Sequence, residues 1–355
     1  MLNPRIICFI LVLCAPSFCF TQKGVKTTYS CKEISKQITI DEQNNNHARA
    51  VRFLLFKEND CPTFIAEDYG KLLFHLKHTI SLEKNSSIKT AYIDTACMVF
   101  QRMELKQHYE RKNDLLWATY IMRSSKPDHA KADTLFTRNF KDERSNFSEL
   151  HVTLYYFALY SLQSETSGSD QLHYQLRMIN TFYALQDHMH RTGMSPKATQ
   201  NLETYLNNVL KNCSDLVPKI SSYALTLTET KDDKITTLNN LRQLIETKNC
   251  STSEDYRMIL DSLIHLKPSG EVFSKKAALV LERIGTCGND EIHQKLNAYY
   301  AQALMDEATK LGYRDPQQES LLKSVLPSKN ELQKAGISSG EKFKLDCWNT
   351  EITVP

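Results

Sequence analysis

Apolar residues recur at three- and four-residue spacing along most of the chain, and no run of β-branched residues alternates with polar ones at period two. The clearest stretch is Asp255 to Leu266. There Tyr256, Ile259, Leu260, Leu263 and Ile264 make one helical face before Lys267-Pro268-Ser269-Gly270 breaks the chain. A second helix, from about Glu271 to Ile284, carries Phe273, Ala277, Leu281 and Ile284 and ends at Gly285. The stretch before it has the same form: a helix over 215–228, a turn at Lys231-Asp232-Asp233, and a helix reaching 247. Leu172 to His190 pairs with Pro196 to Leu210 about a turn at 191–195, and Asp290 to Leu311 pairs with Gln317 to Leu326 about one at 312–316. Four antiparallel hairpins are therefore expected over 171–326, with no β-sheet among them.

Cysteine spacing supports the repeat. Cys213, Cys250 and Cys287 are separated by 37 residues and 37 again, and Lys211-Asn212-Cys213-Ser214 is identical to Lys248-Asn249-Cys250-Ser251. A fixed period of this length marks stacked supersecondary units. The apolar phase drifts by one or two residues between periods, so the repeat is loose. Ala301 to Ala308, running on to Pro316, resembles the second half of a tetratricopeptide unit, but the period is not 34 and its Trp and Gly positions are missing, so no family is assigned.

The N-terminal half shows helical periodicity over His47 to Lys57, Phe64 to His78, Ser86 to Cys97 and about Val99 to Ser124. Ser164 to Asp170, rich in Ser, Thr, Gly and Glu, reads as a linker. The expected organisation is a signal peptide over 1–19, an N-terminal helical subdomain over 20–163, a hairpin-repeat region over 171–326 and an irregular tail over 327–355 pinned by Cys347 and Trp348. The fold class is all-α: stacked antiparallel hairpins, α-solenoid-like and stapled by disulfides. Glycine agrees, with 10 residues in 355, under half the usual share of about 7%. Tight positive-φ turns of the kind that hairpin-rich sheets need are therefore few.

The N-terminus sets the expected compartment. Arg5, the apolar run Ile6 to Leu13, and Pro16 before small residues have the anatomy of a secretory signal, cleaved after Ser17 or, preferably, Cys19. The run is roughly half the ~20 residues that a membrane span needs. Seven cysteines then remain: Cys31, Cys61, Cys97, Cys213, Cys250, Cys287 and Cys347. An oxidising compartment favours disulfides, and no C-x-x-C spacing suggests zinc. In an antiparallel hairpin the start of the first helix and the end of the second share a pole. That geometry favours Cys31 with Cys61 and Cys213 with Cys250, leaving Cys287 for Cys347, although Cys61 with Cys97 and Cys250 with Cys287 flank hairpins in the same way. The net charge is +3 with both signs interspersed, from which no nucleic-acid partner is expected. No membrane span is expected either, because the most apolar later stretch, Val152 to Leu162, is short and carries three tyrosines.

Chemistry is sparse. Gly336-Ile337-Ser338-Ser339-Gly340 matches a nucleophile-elbow pattern, but that motif needs a strand-to-helix turn, and here it falls in the tail. His75 and His78 lie three apart on a helix without the carboxylate of H-E-x-x-H, and are taken as surface residues. His188 and His190 are taken as helix-end residues near Gly193. Tyr155, Tyr156, Phe157, Tyr160, Tyr174, Phe182 and Tyr183, with Met178 and Met189, could line an apolar ligand, yet core packing is the plainer reading. Asn85, Asn146, Asn212 and Asn249 are glycosylation acceptors by sequence. No catalytic residue, cofactor or metal ligand is assigned. The functional expectation is a secreted, non-enzymatic binding or structural module whose partner is an extracellular protein, with a carrier of an apolar ligand as the alternative.

Overall fold

The computed structural model describes residues 29–355 apart from 143–145, 228 and 249–252. The leader over 1–19, the Cys213–Cys250 bridge, and the side chain of Asn212 together with Asn249 lie outside the described residues. The chain divides into two compact units, between Tyr92 and Ile93.

In the first unit, helix α1 (Cys31–Gln43) begins at Ser30, whose hydroxyl accepts from the Glu33 amide while the Glu33 carboxylate accepts from the Ser30 amide. This capping box satisfies two amides that a helix start leaves unpaired. Helix α2 (His47–Asp60) and helix α3 (Ala66–Leu82) follow, and α2 packs against both its neighbours in sequence. Ile34 and Ile38 of α1, Ala50, Val51 and Leu54 of α2, and Tyr69, Leu72 and Leu76 of α3 form the buried interior. Cys31 opens α1 and Cys61 closes α2, and the two are bonded with Cα atoms 5.6 Å apart. Lys57 donates to both oxygens of Asp68 at 2.9 Å, linking α2 to α3.

Helix α4 (Ser86–Leu105) crosses the division between the units. It is continuous through Met98, where the sequence separates Ser86 to Cys97 from a long segment over about Val99 to Ser124, and it stops at Leu105, so that long segment is divided between α4 and the next helix. The His108 amide donates to the Met103 carbonyl and that of Gln107 to Glu104, with Gln107 at φ 59°, a left-handed stop that no glycine announces. Then come α5 (Asp114–Ile121), α6 (His129–Asp142), α7 (Glu149–Glu165), α8 (Gly168–Thr192), α9 (Pro196–Val209), α10 (Cys213–Thr226), α11 (Lys231–Lys248), α12 (Ser253–Leu266), α13 (Gly270–Glu282), α14 (Glu291–Lys310), α15 (Pro316–Val325) and α16 (Lys329–Lys334).

From α5 onward most helices pack on the next in sequence, and several also touch the next but one: α7 with α9, α8 with α10, α10 with α12, α13 with α15. That is the contact pattern of stacked antiparallel hairpins, and the fold is all-α, solenoid-like and disulfide-stapled. Ser164 to Asp170 contains only a two-residue break, Thr166-Ser167, between α7 and α8, which pack closely together. The expected turn at Lys231-Asp232-Asp233 is instead the first turn of α11. Thr230 caps it by accepting from the Asp233 amide, and the two aspartates sit where the helix dipole favours negative charge.

The tail is more ordered than its sequence suggests. After α16, strand β1 (Lys342–Leu345) pairs antiparallel with β2 (Thr350–Thr353), with Phe343 opposite Ile352. Leu345, Ile352 and Val354 are buried, so a period-two pattern is present but too short to stand out. Between the strands, Cys347 bonds Cys287 with Cα atoms 6.0 Å apart. Trp348 donates through Nε1 to Asn297 Oδ1 at 2.9 Å, and Asn297 Nδ2 donates to the Cys287 carbonyl at 2.7 Å. Asn297 is fully buried on α14. One amide side chain thus joins α14, the loop before it and the hairpin.

Candidate functional site

The first unit gathers three histidines at one corner. Asn44, Asn45 and Asn46 end α1 and lead into α2, with Asn45 at φ 53° in the left-handed region that asparagine tolerates better than most residues. This tight connection places His47, the first residue of α2, over the middle of α3. The Nδ1 atoms of His47 and His75 are 2.9 Å apart. The His47 ring stacks on His78, with centroids 4.5 Å apart and planes 20° from parallel. His75 Nε2 lies 3.5 Å from Glu42 Oε1, which is also 3.6 Å from Lys71 Nζ. Phe74, half exposed, packs its ring 4.3 Å from that of His78.

These side chains border an open hollow of about 370 Å³, lined by Glu42, Asn45, His47, Gly70, Lys71, Phe74 and His75. Burial pushes the basicity of His47 and His75 below the ordinary imidazole value, helped at both by the nearby His78, whereas Glu42 acts in the opposite sense on His75. The corner is therefore a hydrogen-bonded imidazole pair ending on a carboxylate. It can relay or store a proton. No group of three or more His, Cys, Asp or Glu side chains able to hold a metal ion occurs among the described residues.

Sequence spacing located His75 and His78 but placed both on the surface. His75 is in fact 3% exposed. It is buried because α2 covers that face of α3, and His47, its partner, lies 28 positions away with no local pattern to mark it. His188 is buried as well, near the Phe147 carbonyl and the ring of Phe140, whereas His190 occupies the last turn of α8 before Gly193 at φ 66°. Ser338 lies exposed after α16 rather than after a strand, and its amide donates to Glu341.

The aromatic band packs on itself. Tyr155 meets Phe136 and Phe140, Tyr156 meets Phe182 and Tyr205, and Phe157 and Tyr160 both meet Tyr205. Tyr156 and Met178 are fully buried. A second hollow, of about 520 Å³, is lined by Leu172, Pro218, Lys219, Ser222, Tyr223 and Thr226, none of which belongs to the band. Cys97 is not disulfide-bonded, and burial pushes its thiol up to about 12, so it stays protonated and unreactive at neutral pH. Asn85 and Asn146 are exposed. The Asn85 side-chain oxygen accepts from the Ile88 amide at the start of α4.

No protein-family model matches the chain, and no curated protein matches it. Among solved structures, the nuclear import adaptor Nro1 of S. pombe is similar at 12% identity over 85% of this chain and 99% of that one, with a TM-score of 0.28. Another structure of Nro1, titled as the hypoxic regulator of sterol synthesis and a nuclear import adaptor, is similar at 14% identity over 83% and 94%, also with a TM-score of 0.28. The human IFIT1 dimer with m7Gppp-AAAA is similar at 12% identity over 88% of this chain and 67% of that one, with a TM-score of 0.25. The partner expectation, an extracellular protein from the stacked hairpins or an apolar ligand from the aromatic band, with nucleic acid excluded by the interspersed charge, is corrected here. These helical neighbours are titled as an import adaptor and as a complex with a capped RNA.

Proposed function

We propose that this protein is an exported helical scaffold that works by binding another macromolecule rather than by catalysis. The observation that carries this reading is the continuous stacking of hairpins from α5 to α15, because such an array offers a long run of side chains to a partner and needs no reactive group. Cys31–Cys61 and Cys287–Cys347 support export, since disulfides persist in oxidising compartments and small thiols reduce them in the cytosol. The leader pattern from Arg5 to Pro16 points the same way. No helix among the described residues is long and apolar enough to cross a membrane.

The test is chemical cross-linking of the full chain in its native host, followed by mass spectrometry, with one half of the sample treated with nuclease and its thiols alkylated before lysis. The scaffold reading expects one dominant cross-linked macromolecule and thiols blocked at Cys31, Cys61, Cys287 and Cys347. A chain recovered alone, or with those four thiols free, refutes it.

A further inference from the structure

Two imidazole nitrogens 2.9 Å apart must share a proton, one donating and the other accepting. The neighbours of the pair decide which. Glu42 accepts only, and it lies 3.5 Å from His75 Nε2, so neutral His75 carries its proton on Nε2 and offers Nδ1 as an acceptor. His47 therefore donates from Nδ1. His78 is fixed separately, because its Nδ1 lies 2.9 Å from the Phe74 carbonyl, which can only accept.

The pair tolerates one further proton. If His47 takes it on Nε2, the original hydrogen bond survives. If His75 takes it on Nδ1, His47 moves its own proton to Nε2 and becomes the acceptor. A second added proton has no such solution. Both Nδ1 atoms would then bear hydrogen, facing each other with no acceptor between them and with two positive charges in contact. The groups that face the pair from the packed helices are Glu42 of α1 and Lys71 and His78 of α3. Glu42 alone is negative, and it is already shared with Lys71. The rings must separate.

We propose that the Glu42–His75–His47 corner is an acid-operated release: it fastens the start of α2 to α3 at neutral pH and lets that contact open in mildly acidic solution. Burial supports the direction. Both imidazoles are less basic folded than unfolded, so the unfolded chain binds more protons in acid. The stability of this corner is complete above about pH 6.5 and falls as the pH drops through the folded values. The inference stands apart from the scaffold reading, because it needs no partner.

Hydrogen exchange of the full chain at pH 7.5 and pH 5.0, corrected for intrinsic rates, tests it. Peptides within 47–82 are expected to lose protection at least tenfold more than peptides within 291–325. His47→Gln, which can still donate to His75 but does not titrate, is expected to keep neutral-pH protection and to lose the acid response. Glu42→Gln, read in the same way, is expected to open at a higher pH than the parent chain. The imidazole signals of His47 and His75 should titrate in two separated steps. Equal loss of protection in both regions overturns the proposal. So does an unchanged acid response in His47→Gln, or a single ordinary titration of the two histidines.

Discussion

Replacing Asn297 with Ala isolates the tie between α14 and the terminal hairpin. The parent amide donates to the Cys287 carbonyl at 2.7 Å and accepts from Trp348 Nε1 at 2.9 Å, and both Asn297 and Trp348 are buried. Truncation strands one donor and one acceptor away from water, at about 1–3 kcal/mol each. The two share one side chain and do not add fully, so the expected loss is about 2–4 kcal/mol. The Cys287–Cys347 bond survives the substitution, which confines the effect to local opening. Hydrogen exchange of the strand amides over 342–353 is therefore the appropriate assay, since unfolding of a chain with two compact units need not be a single transition. Exchange should accelerate by roughly 30-fold or more, using about 1.4 kcal/mol per factor of ten. Trp348→Phe removes the donor from the other side, and in the double variant the cost should fall below the sum of the singles by about 1 kcal/mol. An acceleration under threefold, or strict additivity, would refute this account of Asn297.

Three further outcomes are expected. Changing Cys287 and Cys347 together to Ser removes a cross-link spanning 60 positions, which the chain-entropy relation values at about 4 kcal/mol; a denaturation midpoint by circular dichroism equal to the parent's would contradict this. Gly270→Ala should cost about 1–3 kcal/mol by overpacking, because a Cβ at that position would meet Tyr313 Cβ at 2.4 Å and the Ala308 carbonyl at 2.9 Å, and a thermal melt at or above the parent's would count against it. Expression through a eukaryotic secretory pathway should add a glycan at exposed Asn85, so Asn85→Gln should remove one glycan's mass from the intact protein, and equal masses would exclude that site.

The helices were legible because each writes its own period. Leu263 and Ile259 lie on one face whatever surrounds them, and the breaks at Gly193 and Pro268 are local chemistry. Boundaries failed where tertiary context decided. Asp232 and Asp233 resemble turn residues in isolation, yet they suit equally well the first turn of a helix capped by Thr230. Gln107 ends α4 in a left-handed conformation that its side chain does not signal. The β-hairpin was missed because four residues a side are too few to display alternation. The histidine corner was half visible. His75 and His78 share a helix face by spacing alone, but burial of the first and the arrival of His47 depend on how α2 folds back across α3, which no window shorter than the whole hairpin contains.

The bond between Cys287 and Cys347 makes a closed covalent ring that takes in α14, α15, α16 and the first strand. The turn over 311–314 lies inside that ring, and each of its four residues is exposed. A protease cutting there severs the backbone without dividing the molecule, since the two ends stay joined through sulfur and the packing of α13 on α14 is untouched. Nicked and intact chains would then migrate as one species until a reductant is added.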